Sequence, residues 1–250
     1  TIVVNAQSGG GNTYYVATTG SDSNSGTQSQ PFRTIRKGMS VLRSSYTLFI
    51  RGGEYNEKFE NDLPFDNSAA ISWSQAITIS AYNGEPVIIK PSSAYFVFNF
   101  GGLKYAYLIL DGLIIDAANV TIDGVKITYG SDPRQASHHI WIRNSTIKNA
   151  YSNGVLTSGE ANGNIFTNVD VYNNGFRQYA ADQRHPYGFY ISSGDNIIEN
   201  SKIHDNYAMG IHVYDDLRLY GPNNIVRYNL IYNNGINSVD PTRWPGFGFY

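Results

Sequence analysis

The second half of the chain repeats one pattern of apolar and polar positions four times. Aligned on Asn144, Asn168, Asn200 and Tyr228, the units follow one another after 24, 32 and 28 residues. Two positions earlier and three positions later, every unit carries an apolar side chain: Ile142, Phe166, Ile198 and Val226, then Ile147, Val171, Ile203 and Ile231. The positions between are mostly polar. This period-two alternation predicts strands with one buried face.

Each unit ends in a second kind of strand that begins with glycine. These strands are Gly154–Ser158, Gly188–Ser192, Gly210–Tyr214 and Gly246–Tyr250. The aligned asparagines stand where the chain must bend, because Asn tolerates left-handed backbone, and stacked asparagines can hydrogen-bond from coil to coil. Such a repeat predicts a solenoid. An antiparallel β-sandwich is the alternative, but sandwich strands do not repeat one strand–Asn–strand pattern in register.

The first half of the chain predicts the start of the same coil. Residues 1–12 are rich in Gly, Ser and Asn and are expected to form a loose lead-in. Residues 31–42 are predicted to form a helix that begins at Pro31 and covers the open end of the coil. The segments 108–115 and 120–127 repeat after 12 residues, either as two sides of one turn or as a poorly aligned rung. Strands are predicted at 14–17, 47–51, 76–82 and 87–90.

Composition restricts the partners more than it identifies them. The 250 residues are predicted to form one domain, residues 1–250. A net charge of −2 gives no reason to expect a nucleic acid or an anionic membrane surface as partner. No apolar stretch approaches the ~20 residues that span a bilayer, and the absence of cysteine fits any compartment. The start at Thr1 fits a processed mature form.

The chain ends at Tyr250 on a strand of the coil, and no capping segment follows. Two interpretations remain open: a truncated chain, or a last coil that a partner covers. The second predicts self-association through the uncapped C-terminal coil, because an open coil end can template end-to-end contacts.

The four units, together with residues 14–27, 31–35 and 47–55, resemble right-handed parallel β-helix proteins of the pectate-lyase-like superfamily. The resemblance implies an all-β fold, a right-handed parallel β-helix solenoid with a short N-terminal capping helix. It also implies a secreted, extracellular protein with a polysaccharide as partner.

Two insertions at the same point of the repeat predict where a ligand binds. Residues 176–187 are inserted in unit two and residues 236–245 in unit four, so they are expected to form two walls around the strands of unit three. Between them, the alternation turns Tyr190, His212 and Tyr214 outward. Aromatic faces beside hydrogen-bonding groups suit sugar rings, and arginines in the walls suit carboxylates.

Several of these features have simpler interpretations. Tyrosines on exposed strands are often there for packing alone. Asp215–Asp216 is more often a turn than a calcium site. His138 and His139 have no third ligand at a spacing that suggests zinc, and they are expected to flank the start of a strand. The convergence of both inserts on one strip favours a site there.

The favoured hypothesis is a lyase that cleaves an acidic, uronate-containing glycan by β-elimination. This reaction needs a base for the proton α to the carboxylate and a cation that neutralises the carboxylate. The candidate catalytic residues are Arg184, His185, His212 and Tyr190. The candidate substrate-binding residues are Arg177, Tyr187, Tyr214, Arg243 and Trp244. If Ca²⁺ rather than arginine is the cation, its candidate ligands are Asp215, Asp216 and Asp182.

The sequence leaves three alternatives to a lyase open. A glycoside hydrolase needs two carboxylates, for which the candidates are Asp182, Asp215, Asp216 and Asp240. A C5-epimerase shares the fold in the resembling superfamily, but its Asp-Pro-His type motif is absent from this chain. A glycan-binding, adhesive or filament-forming β-helix needs no catalytic group.

Overall fold

The computed structural model describes residues 12–102, 105–175, 186–214 and 223–235. Within these residues the chain coils through three parallel sheets, A, B and C, with strands numbered β1–β21 along the chain. Every strand pairs with its counterparts in the neighbouring coils. The repeat predicts a solenoid and the resemblance implies a parallel β-helix, and both expectations are confirmed.

Sheet A has eight strands: β1 (Thr13–Val16), β2 (Thr47–Ile50), β5 (Ile77–Ala81), β8 (Ala106–Asp111), β11 (His138–Arg143), β14 (Ile165–Thr167), β17 (Ile197–Glu199) and β20 (Ile225–Arg227). Sheet B has seven: β3 (Gly53–Tyr55), β6 (Val87–Ile89), β9 (Leu113–Asp116), β12 (Thr146–Lys148), β15 (Asp170–Tyr172), β18 (Lys202–His204) and β21 (Leu230–Tyr232). Sheet C has six: β4 (Phe59–Glu60), β7 (Phe98–Gly101), β10 (Val125–Thr128), β13 (Val155–Ser158), β16 (Phe189–Ser192) and β19 (Ile211–Val213).

The aligned turn residues lie between sheets A and B, as the repeat predicts. Asn144, Asn168, Asn200 and Tyr228 all have left-handed backbone, with φ between 51° and 57°. The side chains of the first two are hydrogen-bonded, since Asn168 Nδ2 donates to Asn144 Oδ1 at 2.8 Å. The inward columns are buried: Ile142, Phe166, Ile147, Val171 and Ile203 are fully buried and Ile198 is 2% exposed. Val226 and Ile231, in the last described coil, are half-buried.

Two further ladders of asparagine are buried inside the coil. One contains Asn164, Asn196 and Asn224, and the other contains Asn174, Asn206 and Asn234. In each ladder the side-chain amide of one coil donates to the side-chain oxygen of the next, at 2.9–3.0 Å. The same oxygens accept backbone N–H groups, so the ladders satisfy the polar backbone at the coil corners.

The second ladder explains why glycine begins the strands of sheet C. A Cβ at Gly188 would lie 2.8 Å from Asn206 Nδ2 and 2.5 Å from the Gly210 carbonyl oxygen. A Cβ at Gly154 would lie 2.7 Å from Asn174 Nδ2. The pattern of asparagine followed by glycine is therefore one packing unit in which a side chain of one segment fills the space that glycine leaves.

The N-terminal helix is shorter than predicted. Helix α1 spans Ile35–Ser40, with Thr34 as its N-cap. Phe32 instead pairs with Val16 as an extended residue. The Glu57 carboxylate fixes the start of the helix, because it accepts the N–H groups of Ile35 and Arg36 at 2.7 and 2.8 Å. Ile35, Met39 and Leu42 pack into the core and are at most 1% exposed.

The strands predicted before residue 215 are confirmed to within one residue at each end. The strand predicted at Gly246–Tyr250 lies outside the described residues. The two segments at 108–115 and 120–127 belong to one coil: the first crosses from β8 to β9 through Gly112, whose φ is 73°, and the second leads into β10. Residues 1–11 of the predicted lead-in lie outside the described residues. Among those that are described, no helix has the length and apolar character that crossing a membrane would require.

Candidate functional site

The outer face of sheet C carries three of the predicted site residues. Tyr190 on β16 and His212 on β19 are register partners in adjacent coils. Tyr214 directly follows β19 and is 40% exposed. The alternation that turns them outward is the one the sequence predicts, because their neighbours Phe189 and Ile211 are fully buried in the coil.

Aromatic contacts hold these side chains in one cluster. The rings of Tyr190 and His212 are 5.3 Å apart and nearly perpendicular, at 84°. The ring of Tyr214 lies 6.1 Å from that of Tyr190 and 5.9 Å from that of His212. Edge-to-face packing of this kind fixes ring orientation. The cluster therefore presents an imidazole and two phenol groups on one rigid strip.

Tyr187 is buried and packs against the rings of this cluster. It is 1% exposed and packs with Ala208 and Met209. Its ring stacks on Tyr190 at 5.7 Å and meets the edge of His212 at 4.8 Å. The prediction that Tyr187 contacts substrate does not fit this burial, because its ring faces other side chains. Its position indicates that it orients Tyr190 and His212.

A buried hydrogen-bond chain positions Tyr187 in turn. The Tyr187 N–H donates to Asn153 Oδ1 at 3.1 Å. Asn153 donates from both its backbone N–H and its Nδ2 to Asp123 Oδ1, each at 2.9 Å. Asp123 is 1% exposed. Burial raises the pKa of the Asp123 carboxyl, and the hydrogen bonds from Asn153 and the charge of Lys126 offset only part of that rise.

Replacing Asp123 by asparagine should therefore stabilise the protein at neutral pH. Because the folded-state pKa is raised above the unfolded value, the folded state binds the proton more tightly. The contribution of the Asp123 carboxyl to stability is then greatest below its unfolded pKa of 3.8 and is lost as pH rises through its folded pKa. Asp123→Asn keeps the Oδ1 acceptor and cannot ionise. Thermal unfolding between pH 4 and 8 should show a higher Tm for the variant at neutral pH, by about 2–4 °C per kcal/mol.

Asp132→Asn is the matched control for this measurement. Asp132 forms an ion pair with Arg134 at 3.1 Å, and hydrogen bonds from Arg134 lower the pKa of its carboxyl. The control should therefore not raise the Tm at neutral pH. If the wild type and Asp123→Asn lose stability in parallel as pH rises, the burial of Asp123 does not set the pH dependence.

The outward row extends further along sheet C than the sequence predicts. In the successive coils that precede Tyr190 in the chain, the residues in register with it are Leu156, Lys126, Asn99 and Glu60. Lys126 adds a cation to the row and lies over the Phe96 ring at 5.4 Å. Lys126 precedes the four repeat units that begin at residue 139, so it is not among the residues predicted from the sequence. The signal was the Asp123–Gly124 pair before an alternating Val-Lys-Ile strand, which parallels the later glycine-led strands.

The remaining candidates lie outside the described residues. They are Arg177, Asp182, Arg184, His185, Asp215, Asp216, Asp240, Arg243 and Trp244. In the sequence, 176–185 stand between β15 of sheet B and β16 of sheet C, where the other coils are connected by much shorter segments. The predicted first insert therefore precedes β16 in the chain, and the roles of its residues stay predictions.

The described residues contain none of the three candidate calcium ligands. No group of three or more His, Cys, Asp or Glu side chains suited to a metal ion occurs among them. The predicted ligands Asp182, Asp215 and Asp216 all lie outside this part of the chain. Calcium binding therefore stays a prediction.

Comparison with known proteins gives similar folds at low sequence identity. The crystal structure of pectate lyase Pel9A superposes with a TM-score of 0.71 at 17% identity, covering 94% of this chain and 57% of that one. A rhamnogalacturonan lyase superposes with a TM-score of 0.58 at 20% identity, covering 96% and 61%. At these identities the likeness shows the fold alone.

A curated relative and a family model extend the comparison to sequence. The uncharacterized protein YwoF of Bacillus subtilis (strain 168) is 32% identical over 87 residues, which are 35% of this chain and 17% of YwoF. The chain thus spans less than two thirds of YwoF and of both lyases. Residues 14–180, more than half of the chain, match the model of the Pel9A-like right-handed β-helix region. The chain therefore belongs to the Pel9A-like right-handed β-helix family.

Proposed function

We propose that this protein is a polysaccharide lyase that binds an acidic, uronate-containing glycan along the outer face of sheet C and cleaves it by β-elimination. The observation that carries the proposal is the row of Lys126, Tyr190 and His212, which lie on one face in register. The row combines a cation, a phenol and an imidazole. The fold likeness to a pectate lyase and a rhamnogalacturonan lyase supports a glycan as the substrate.

The row has the dimensions of an extended chain of sugars. Strands of adjacent coils lie about 4.8 Å apart, so Lys126 and His212, three coils apart in register, are separated by about 14 Å along the face. Aromatic rings at one end suit the apolar faces of sugar rings. The ammonium group at the other end suits the carboxylate of a neighbouring uronate.

The chemistry assigned to these groups is a proton transfer coupled to bond cleavage. Neutral His212 removes the proton from the carbon α to the uronate carboxylate, and the electron pair forms a carbon–carbon double bond as the β carbon–oxygen bond breaks. Tyr190 donates its phenolic proton to the leaving oxygen. Arginines of the two inserts neutralise the carboxylate, which acidifies the α proton. These roles rest on position and side-chain chemistry.

The carboxylates that hydrolysis would use, Asp182, Asp215, Asp216 and Asp240, lie outside the described residues. Among the described strands of sheet C, Glu60 is the one carboxylate on the outer face, and Lys58 holds it in an ion pair at 2.8 Å. Glycoside hydrolysis uses two carboxylates that flank the scissile bond. The described part of this outer face carries an imidazole and phenol groups.

The test is direct detection of the unsaturated uronate product. The protein is incubated with pectate, rhamnogalacturonan, alginate and glycosaminoglycans, with Ca²⁺ or with EDTA, while ultraviolet absorbance and reducing ends are followed. We expect both signals to rise on one acidic glycan. New reducing ends without the absorbance change would indicate a hydrolase. Saturable binding with neither signal would indicate a non-catalytic glycan-binding protein.

A further inference from the structure

Two adjacent histidines on sheet A contact each other through the same ring nitrogen, Nδ1. His138 and His139 stand at the start of β11, as the sequence predicts, and both are half-buried. Their Nδ1 atoms are 2.8 Å apart. Among the described residues neither ring has another hydrogen-bond partner. The two Nδ1 atoms therefore face each other across one short gap, on a different sheet from the sheet C face.

Aromatic neighbours fix this geometry in advance. The Tyr107 ring stacks on His139 at 4.6 Å and meets His138 edge-on at 6.1 Å. Trp73 lies 6.2 Å from His139. On the side of the next coil, a Cβ at Gly163 would lie 2.8 Å from His139 Nε2, so the ring occupies the space that glycine leaves. A site whose side chains are held by packing loses little entropy when an ion binds.

The backbone at this corner is unusual for such large side chains. Tyr107 and His139 occupy the same position in successive coils and both have left-handed backbone, with φ of 52° and 53°. In later coils the same corner is occupied by Gly163, Asp195 and Asn223, residue types that adopt this backbone readily. A bulky residue there is disfavoured, and such strain concentrates at functional sites.

Both imidazoles are suited to bind a metal ion at neutral pH. Burial lowers the pKa of His138, and burial together with the neighbouring His138 lowers the pKa of His139. Burial thus disfavours the charged form of both rings, and the neutral imidazole is the form in which histidine binds metals. The nearby Asp195 acts on His139 in the opposite sense and contributes a negative field that attracts a cation.

The distance between the two nitrogens, an ordinary one for an N–H···N hydrogen bond, also fits one coordination geometry. With metal–nitrogen bonds of about 2.0 Å, adjacent ligands of a square-planar ion are ~2.8 Å apart, whereas tetrahedral ligands are ~3.3 Å apart. The 2.8 Å between the Nδ1 atoms matches the first value. Imidazole ligands in a tetragonal arrangement favour Cu²⁺, which also binds such ligands most tightly among the common divalent ions.

We propose that His138 and His139 form a binding site for a divalent copper ion, which both Nδ1 atoms ligate in adjacent positions. No third His, Cys, Asp or Glu completes a cluster with them in the described part of the chain, so water fills the remaining positions. Without the ion, an N–H···N hydrogen bond spans the same distance. Binding requires one ring to carry its proton on Nε2 instead of Nδ1, with no net release of protons.

The test uses Cu²⁺ alone and the whole chain, prepared without a histidine tag. One equivalent of Cu²⁺ should give a tetragonal electron paramagnetic resonance spectrum with hyperfine splitting from two nitrogens. His138→Gln and His139→Asn should each weaken Cu²⁺ binding by more than about tenfold. Asparagine is chosen at position 139 because it adopts the left-handed backbone found there. Circular dichroism verifies that each variant is folded.

The small number of histidines allows a matched control. The chain has five histidines. In the triple variant His185→Gln, His204→Gln, His212→Gln, the two remaining histidines are His138 and His139. This variant should keep the two-nitrogen spectrum. Zn²⁺ should bind more weakly than Cu²⁺, because its tetrahedral geometry needs a wider separation. Loss of copper binding in the triple variant, its persistence in His138→Gln, or equal binding of Zn²⁺ would each overturn the proposal.

Discussion

Replacing His212 by glutamine should reduce the rate of unsaturated-uronate formation by about 100-fold or more, the range associated with loss of a general base. Glutamine keeps a polar side chain of similar length but has no group that titrates near neutral pH. Because the imidazole lies between Tyr187, Tyr190 and Tyr214, glutamine also keeps part of the packing. The loss should fall on kcat, measured with the glycan that the wild type cleaves.

His204→Gln is the matched control for this experiment. His204 lies on sheet B, stacked between Tyr172 and Tyr232 at 5.1 and 4.6 Å, and its ring nitrogens contact Asp170 and Asp205. It has a tyrosine-rich setting like that of His212 but lies on another face. The control should keep kcat near the wild-type value. Equal loss in both variants would show that the effect is structural and would remove His212 from the mechanism.

A second variant separates the proposed acid from its packing role. Tyr190→Phe removes one hydroxyl and keeps the ring that stacks on Tyr187 and meets His212. If Tyr190 protonates the leaving oxygen, kcat should fall while the affinity for the glycan stays similar. A change confined to KM would assign Tyr190 to binding alone.

The repeat made the fold and the outward-facing residues of sheet C predictable. Period-two alternation identified which side chains of each strand face the core, and register between parallel strands then placed Tyr190 beside His212. These features depend on neighbours that recur in the sequence at a regular distance. A solenoid coil contacts chiefly the coils before and after it, so the sequence pattern carries most of the tertiary information.

Predictions that depended on contacts outside the repeat were less accurate. Helix α1 begins at Ile35 instead of Pro31 because Glu57, far along the chain, caps it. Tyr187 is buried because Ala208 and Met209, one coil later, cover its ring. The contact between the His138 and His139 rings beside Tyr107 likewise depends on side-chain packing that periodicity does not encode.

The largest loss of stability is expected from a variant inside the coil, Asn206→Leu. Asn206 is 1% exposed, and its Oδ1 accepts both the backbone N–H and Nδ2 of Asn174. Its Nδ2 donates to the Val171 carbonyl and to Asn234 Oδ1. Leucine has a similar volume but satisfies none of these groups. Each buried polar group left without a partner costs about 1–3 kcal/mol, so the total loss should be at least ~3 kcal/mol.

Asn200→Gly, in the same coil, shows whether this loss comes from the buried ladder. Asn200 is exposed and has a φ of 52°, a backbone that glycine adopts without strain. This variant should change the free energy of unfolding in urea by less than about 0.5 kcal/mol. If the two variants lose similar stability, turn conformation and not the ladder holds successive coils together. If only Asn206→Leu is strongly destabilised, the buried amides join the coils, and the apolar columns alone do not suffice to keep sheet C and its outward row in register.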